Sequence, residues 1–306
     1  MELGNANKNN LVNRHEENKY YIDDYKISTE NTNDSHSLIA TRIKPNSVVL
    51  DVGCAQGIIG TYLSKEQNCE VYGIEIDNVS RKIAESKKTY KELFGFSVTD
   101  KKDKKYIDFF NKKIKFDYII FADILEHLID PADVIYEFQK LLKDDGKIII
   151  SLPNISHFDI IHGLMNDKFN YSKLGLLDNT HIRFFTANSF IEMIDEINEY
   201  YDIELNVKRV ATTHVEPEYA SKYAGLYVFL KSIQKIDILQ NIFEIKKGKN
   251  KKNKTINDVD LCLELNNIYV DNIRLKQENE ILQKQVDRIQ NNKIYKILRK
   301  IYHIFK

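Results

Sequence analysis

The twelve residues VLDVGCAQGIIG (49–60) constrain this chain more than any other stretch. Val49, Leu50 and Val52 flank Asp51, and glycines at 53, 57 and 60 space the positions that follow. A continuous apolar run is what a strand covered on both faces requires. A glycine-rich turn opening a helix then lets backbone amides approach a nucleotide-like ligand. Further runs repeat the rhythm. SVVLDV (47–52), EVYGIEI (70–76), FSVT (96–99), FDYIIFA (116–122) and KIIISL (147–152) read as strands one to five, with helices between them. Two later strands are predicted near 202–209 and 225–230. This alternation implies an α/β fold, a Rossmann-like doubly wound sheet of seven mostly parallel strands.

The intervening helices carry their own punctuation. SHSLIATRI (35–43) should stop before Pro45. GIIGTYLSKEQ is the helix after the first strand, and NVSRKIAESKKTYKELF (78–94) forms the next, its apolar face made by Val79, Ile83, Ala84 and Tyr90. Asp130 can cap a helix begun by Pro131, which lacks a donor where none is needed. Val134, Phe138, Leu141 and Leu142 give that helix a buried face, and Gly146 its stop. After Pro153 the pattern breaks into a polar and aromatic stretch (154–186) before a helix at about 187–199. An insertion there can cover the crevice at the carboxyl ends of the strands.

Charge matters at the ends of the chain. Lys and Arg number 45 and Asp and Glu number 45, so nothing in the balance points to nucleic acid. Three separated cysteines, Cys54, Cys69 and Cys262, fit a reducing cytoplasm and make no zinc pattern. Residues 1–34 are polar and predicted to be poorly ordered, and no signal peptide or membrane-spanning run is visible. The folded α/β domain is thus expected over 35–245, with a lid-like insertion at 154–186, followed by a lysine-rich linker at 246–257. Beyond it Leu261, Ile268, Leu275, Leu282 and Ile289 recur every seven residues, with Leu265, Asn272, Asn279 and Val286 on the alternate seam. That heptad pattern predicts a coiled coil over 258–291 and a parallel homodimer, in which paired asparagines set the register. The last stretch, 292–306, is basic and amphipathic, suited either to an anionic membrane surface or to docking on protein.

The loop itself discriminates among cofactors. A dinucleotide site would carry G-x-G-x-x-G, but Ala55 stands where the second glycine belongs, and its Cβ obstructs a pyrophosphate. Asp51 would repel phosphate and could orient an ammonium group. LDVGCAQG resembles motif I of the class I S-adenosylmethionine (SAM) dependent methyltransferases. YGIEID, VTD, FDYIIFADILEHLIDP and GKIIISLPN follow in the order of that family's later motifs. The likeness covers about residues 36–210 and implies the methyltransferase fold, with SAM as cofactor. Carried over residue by residue, it places Asp51, Gly53, Cys54, Ala55 and Gly57 around the methionine and ribose. Glu75 would accept from both ribose hydroxyls, with Ile76 beside it; Asp100 would meet the adenine amino group, and Ala122 and Asp123 would line the methionine side.

Methyl transfer needs an oriented acceptor and, for a hydroxyl, a base. NYSKLGLLDNTHIRFFT resembles a stretch of bacterial methyltransferases of the broad methyltransferase 23 type, many linked to surface-glycan biosynthesis. His181 and Arg183 would share one face of a strand, giving His181 as general base, Asp178 to orient it and Arg183 to grip a sugar or anionic group. His157 and His162 are further candidates, and Tyr171 could stack on a sugar. DILEH offers Asp123, Glu126 and His127, and it is similar to an E-x-x-E-H sequence tied to divalent metal in quinone-pathway O-methyltransferases. His127 is expected to pack beneath the cofactor and Glu126 to cap or pair, with no metal assigned. The leading expectation is thus a cytoplasmic O-methyltransferase of a sugar or glycan intermediate, placed near the inner membrane face or beside glycosyltransferases by its tail. Metal-assisted methylation of a small aromatic hydroxyl, and a SAM-binding scaffold for glycan assembly, are the alternatives.

Overall fold

A computed structural model describes residues 27–28, 30–233 and 235–248. The expected coiled coil, the basic tail and most of the polar N-terminal segment lie outside these residues. The described residues divide into two compact units, one of residues 27–215 and 238–248, the other of 216–237. The first holds helices α1 (Ser35–Ala40), α2 (Ile58–Gln67), α3 (Asn78–Ser86), α4 (Lys104–Asn111), α5 (Pro131–Gln139), α6 (Phe158–Met165) and α7 (Ala187–Tyr201). Its strands are β1 (Val48–Val52), β2 (Glu70–Ile74), β3 (Glu92–Phe94), β4 (Phe116–Ala122), β5 (Leu142–Pro153), β6 (Leu205–His214) and β7 (Ile238–Lys247). In the second unit the described element is α8 (Ala224–Ile233), followed by a Lys231–Asp237 ion pair of 3.2 Å.

The strands form one seven-stranded sheet in the order β3-β2-β1-β4-β5-β7-β6. Strands β3, β2, β1, β4 and β5 run parallel, and β7 is antiparallel to both β5 and β6. From β1 the chain moves outward to β2 and β3, then returns to place β4 on β1's other side. The reversal opens a crevice beyond the carboxyl ends of β1 and β4, where open α/β sheets take ligands. Central strands covered on both faces must be apolar throughout, and Ile119, Ile120, Ile148, Ile149 and Ile150 are all 0% exposed. This is the Rossmann-like methyltransferase architecture expected of the sequence.

Local expectations held where capping chemistry is explicit. Asp130 accepts from the Asp133 N–H at 3.0 Å and Pro131 opens α5. Four placements differ. Helix α3 ends at Ser86, and Lys88 turns left-handed at φ 53°, so Glu92–Phe94 pair with Tyr72–Ile74 as β3. The residues FSVT therefore lie beyond β3 rather than forming it. Helix α5 ends at Gln139, so Leu141 and Leu142 leave it, and Phe116 pairs with Leu142 where β5 begins. Gly146 is no helix stop: it lies where β5 crosses β4, and a Cβ there would come within 2.9 Å of the Phe116 carbonyl. Residues 225–230 belong to α8, and the last strand is β7, which extends through Lys246 and Lys247 into the stretch expected to be linker. A short apolar run cannot be assigned to helix or strand by its periodicity, and only pairing between β5 and β6 selects β7.

Ile149 packs in the cluster joining β1, β2, β4, β5 and β7. Ile149→Ala should lower unfolding free energy by about 2–5 kcal/mol, read by chemical denaturation.

Candidate active site

The loop after β1 is a tight nest. Gly53, Ala55 and Gly57 adopt positive φ of 70°, 45° and 75°. The Gly53 and Cys54 amides both donate to the Ile74 carbonyl, at 2.8 and 3.1 Å, so the turn is stitched to the end of β2. A ring supports it from below. Tyr90 lies against Gly57, Gly60 and Gly73, at which an added Cβ would meet its atoms at 2.7, 2.2 and 2.8 Å. These three positions admit no side chain because the phenol fills the space. The Tyr90 hydroxyl donates to Asp51 Oδ2 at 2.8 Å, and the Gly60 amide also reaches that carboxylate. Burial pushes the Asp51 carboxyl up to about 6, against the pull of those two donors.

Glu75 closes the other side. Its Oε2 accepts from the Ala55 N–H at 2.8 Å and its Oε1 from the Asp77 N–H at 2.7 Å. A carboxylate has about four acceptor sites, so two such bonds leave lone pairs for a diol. Burial raises the Glu75 carboxyl above its ordinary value, while both amides oppose the shift. Next to it Ile76 stands 65% exposed, an apolar rim of the kind a flat base covers. Gln56, 5% exposed, holds an Nε2 with no hydrogen-bond partner, a buried donor for a carboxylate. No Lys or Arg occurs in 51–60 to neutralise phosphate. A diol acceptor, an apolar rim and an amide donor together fit SAM. Cys54 is buried, with its thiol pushed well up by that burial, so it is a packing residue of the nest.

Where β4 ends, Ala122 is half-buried and Asp123 takes a left-handed φ of 52°. Asp123 Oδ1 accepts from Ser151 Oγ and Gln240 Nε2, each at 2.9 Å. The next residues, Leu125–His127, form a 3-10 turn that carries Glu126 inward. Glu126 is 1% exposed and neither carboxylate oxygen has a hydrogen-bond partner. Burial first, then the Asp123 charge, pushes its carboxyl well above the ordinary range. Its Oε1 stands within ion-pair reach of a histidine ring, 4.0 Å from His181 Nε2.

The insertion docks on this turn. The Ile182 and Arg183 amides both donate to the Glu126 carbonyl, at 2.9 and 3.0 Å, and the Thr180 carbonyl lies 3.1 Å from His127 Nδ1. Two successive amides on one carbonyl are incompatible with an extended strand, so His181 and Arg183 do not share a strand face. His181 is 8% exposed, whereas Arg183 is exposed and donates through Nε and Nη2 to the Ile129 carbonyl. The His181 Nδ1 meets the Leu176 carbonyl at 3.1 Å, and its Nε2 lies 4.0 Å from Glu126 Oε1. The His127 and His181 rings pack edge to face, with centroids 4.8 Å apart. Asp178 Oδ1 accepts from the Thr180 amide and hydroxyl, shaping the turn that delivers His181.

The remaining candidates lie apart from this cluster. Asp100 is exposed and caps its own turn by accepting from the Lys102 amide at 3.1 Å. His157 is the N-cap residue of α6, its Nε2 3.3 Å from the Val215 carbonyl. His162 lies at the end of α6 beside Asn166. Tyr171, 55% exposed, packs edge to face with Phe169 and near Phe184, an aromatic group on the insertion. Sequence reasoning missed Gln56 and Tyr90 as site residues. Helical periodicity assigns Tyr90 to an apolar face, whereas the structure sets its ring against Gly57, Gly60 and Gly73, and those glycines are the cue to it.

The methyltransferase-domain family Methyltransf_23 matches residues 24–198, and the chain belongs to that family. Its domain is a SAM-dependent methyltransferase. A phosphoethanolamine N-methyltransferase of Zea mays is 34% identical over 110 residues, 36% of this chain and 21% of the relative. A ubiquinone biosynthesis O-methyltransferase of Actinobacillus pleuropneumoniae is 33% identical over 111 residues, 35% of this chain and 45% of the relative. The chain thus spans less than half the length of either relative. Among solved structures, the plantazolicin methyltransferase BpumL in complex with SAH aligns with a TM-score of 0.46 at 17% identity, over 70% of this chain and 81% of that one. The YcgJ protein from Bacillus subtilis aligns with a TM-score of 0.45 at 15% identity, over 70% of this chain and 99% of that one.

Asp51 generates a pH prediction. Its folded value, about 6, lies above its ordinary 3.8, so ionising it costs stability. The cost is absent below the lower value and complete above the higher one. The Tyr90 hydroxyl offsets part of the cost for the ionised form. Tyr90→Phe should therefore destabilise by about 1–3 kcal/mol near pH 8 and by less near pH 5, as measured by chemical denaturation at both.

Proposed function

We propose that this protein transfers the methyl group of SAM to a hydroxyl of a sugar or surface-glycan intermediate. The observation carrying the proposal is His181, held with its Nε2 4.0 Å from the buried Glu126 carboxylate beyond the end of β4. In the reaction the acceptor oxygen attacks the sulfonium methyl; the O–C bond forms as the C–S bond breaks, and the cofactor leaves as a neutral thioether. The hydroxyl proton passes to His181 Nε2, which faces Glu126 Oε1 at 4.0 Å. Holding the two reactants in line can supply ~7–11 kcal/mol of the barrier, and a positioned base typically adds ~10²–10⁴-fold. Glu75, Ile76 and Gln56 hold the cofactor. Tyr171, Phe169 and Phe184 offer faces on which a sugar ring can stack.

A second reading, O-methylation of a small aromatic hydroxyl, is favoured by the relative named for ubiquinone biosynthesis. Labelled SAM supplied with nucleotide sugars, cell-surface precursors, catechols and ethanolamine derivatives separates the classes. Label in a sugar ether supports the proposal, label in a catechol supports the second reading, and label only on nitrogen overturns both. We further infer from the heptads that the protein is a cytoplasmic dimer joined by its tail, whose basic end contacts an anionic membrane or a glycosyltransferase. No helix among the described residues is long and apolar enough to cross a membrane.

Three outcomes follow. His181→Ala should lower kcat by about 10²–10⁴-fold while calorimetry finds SAM affinity unchanged. Glu75→Ala should instead weaken SAM binding, by about 10-fold or more if a charged hydrogen-bonding partner is lost. Truncation after residue 250 should give a monomer by sedimentation that still binds SAM.

A further inference from the structure

We propose that the cavity around Arg183 binds an anionic amphiphile, a ligand with a phosphate or carboxylate head joined to an apolar body. The cavity has a volume of about 520 Å³, within the range of small-molecule sites. Ile129, Pro131, Phe184, Phe185 and Met193 make its walls largely apolar. Ile129 is 74% exposed, and Phe184 and Met193 are half-buried, so these faces are not used up by the core.

Arg183 supplies the cation in these walls. Its Nε and Nη2 donate to the Ile129 carbonyl, and among the described residues no carboxylate pairs with it. A guanidinium carries five N–H donors, so those two bonds leave capacity for a ligand. The other polar groups of the walls are committed. Asp130 Oδ1 caps α5 by accepting from the Asp133 amide at 3.0 Å, and Ser189 exchanges bonds with Thr186 in the capping box of α7. These groups serve the helix starts, which leaves the guanidinium as the donor for an oxyanion. Its planar fork matches the geometry of a phosphate or a carboxylate. The Asp130 carboxylate repels a second anion and confines such a head to the Arg183 side.

The walls are preformed. The Arg183 amide donates to the Glu126 carbonyl at 3.0 Å, and the Phe185 carbonyl accepts from the Ile155 amide at 3.0 Å, so both ends of 183–185 are pinned. Between them Phe184 meets Phe169 edge to face, with ring centroids 5.6 Å apart. Phe169 and Tyr171 are 37% and 55% exposed, so the apolar wall continues onto an aromatic surface that suits a body longer than the cavity. A bare inorganic anion would leave those faces wet, and an uncharged sugar would leave the guanidinium unmatched. Arg183 follows His181 by two positions and Ile129 follows His127 by two, so the cavity flanks the proposed base. That its occupant is the methyl acceptor rests on the reading above; that it takes an anionic amphiphile does not. On that reading the acceptor hydroxyl belongs to a molecule that also carries an oxyanion and an apolar group.

The test is calorimetric titration of the full-length protein with octyl phosphate, octanoate, 1-octanol and inorganic phosphate, the amphiphiles kept below their micellar concentrations. At least one of the two anionic amphiphiles should bind at one per chain, about 10-fold or more tightly than 1-octanol or inorganic phosphate. The tighter of the two identifies the head as phosphate or carboxylate. Arg183→Met should bring that anion down to the level of 1-octanol, and Ala132→Phe, which fills the cavity, should weaken both ligands. Retained SAM binding shows that each variant is folded. The proposal is overturned if neither anion outbinds 1-octanol, if either variant leaves anion binding untouched, or if Arg183→Met weakens 1-octanol as much as the anion. Transfer to a sugar hydroxyl without amphiphile binding overturns it while leaving the O-methyltransferase reading intact. Amphiphile binding with no transfer to any hydroxyl does the reverse.

Discussion

The hydrogen bond between Tyr90 and Asp51, with the phenol ring lodged beneath three glycines, is the contact on which the cofactor crevice depends. Asp51 sits on β1, Gly57 and Gly60 at the start of α2, and Gly73 on β2, so one side chain gauges the spacing of three elements. With that spacing set, the amides of Gly53 and Cys54 reach the Ile74 carbonyl, and Ala55 reaches Glu75. The left-handed conformation of Ala55 is unfavourable for a residue with a Cβ and persists because the surrounding bonds over-determine it. Packing thus sustains a strained turn whose open amides and acid can meet a ligand.

Three buried carboxylates sit along the crevice, and each is treated differently. Asp51 accepts from the Tyr90 hydroxyl and the Gly60 amide, both of which favour its ionised form against burial. Glu75 spends one bond per oxygen on backbone amides and keeps capacity for hydroxyls. Glu126 has neither, although it is the most deeply enclosed. Their different surroundings assign different chemistry to similar groups, as pairs of acids in enzyme sites commonly show.

Much of the fold was legible because its signals are local. The apolar run at 48–52, the Asp130–Pro131 cap and the β4 strand at 116–122 each follow from residues a few positions apart. The errors fall where a non-local contact chose between local options. Lys88 ends α3 because β2 offers Glu92–Phe94 a partner, and 225–230 is helical because the place between β5 and β6 goes to 238–247. The position of Glu75 directly after β2 was legible too. Tyr90 and Gln56 were not, since a ring filling the space of three glycines and an unmatched amide are properties of packing.

The sequence by itself determined the class of the sheet, the glycine turn after β1 and the acid that follows β2, because strand hydrophobicity and turn chemistry are written within a few residues. Only the tertiary structure decided how the acceptor side is built. His181 lies 54 positions from His127, and no periodicity links them. Their meeting depends on two amides of the insertion docking on the Glu126 carbonyl. That docking places one imidazole beside another and both beside a carboxylate that water cannot reach.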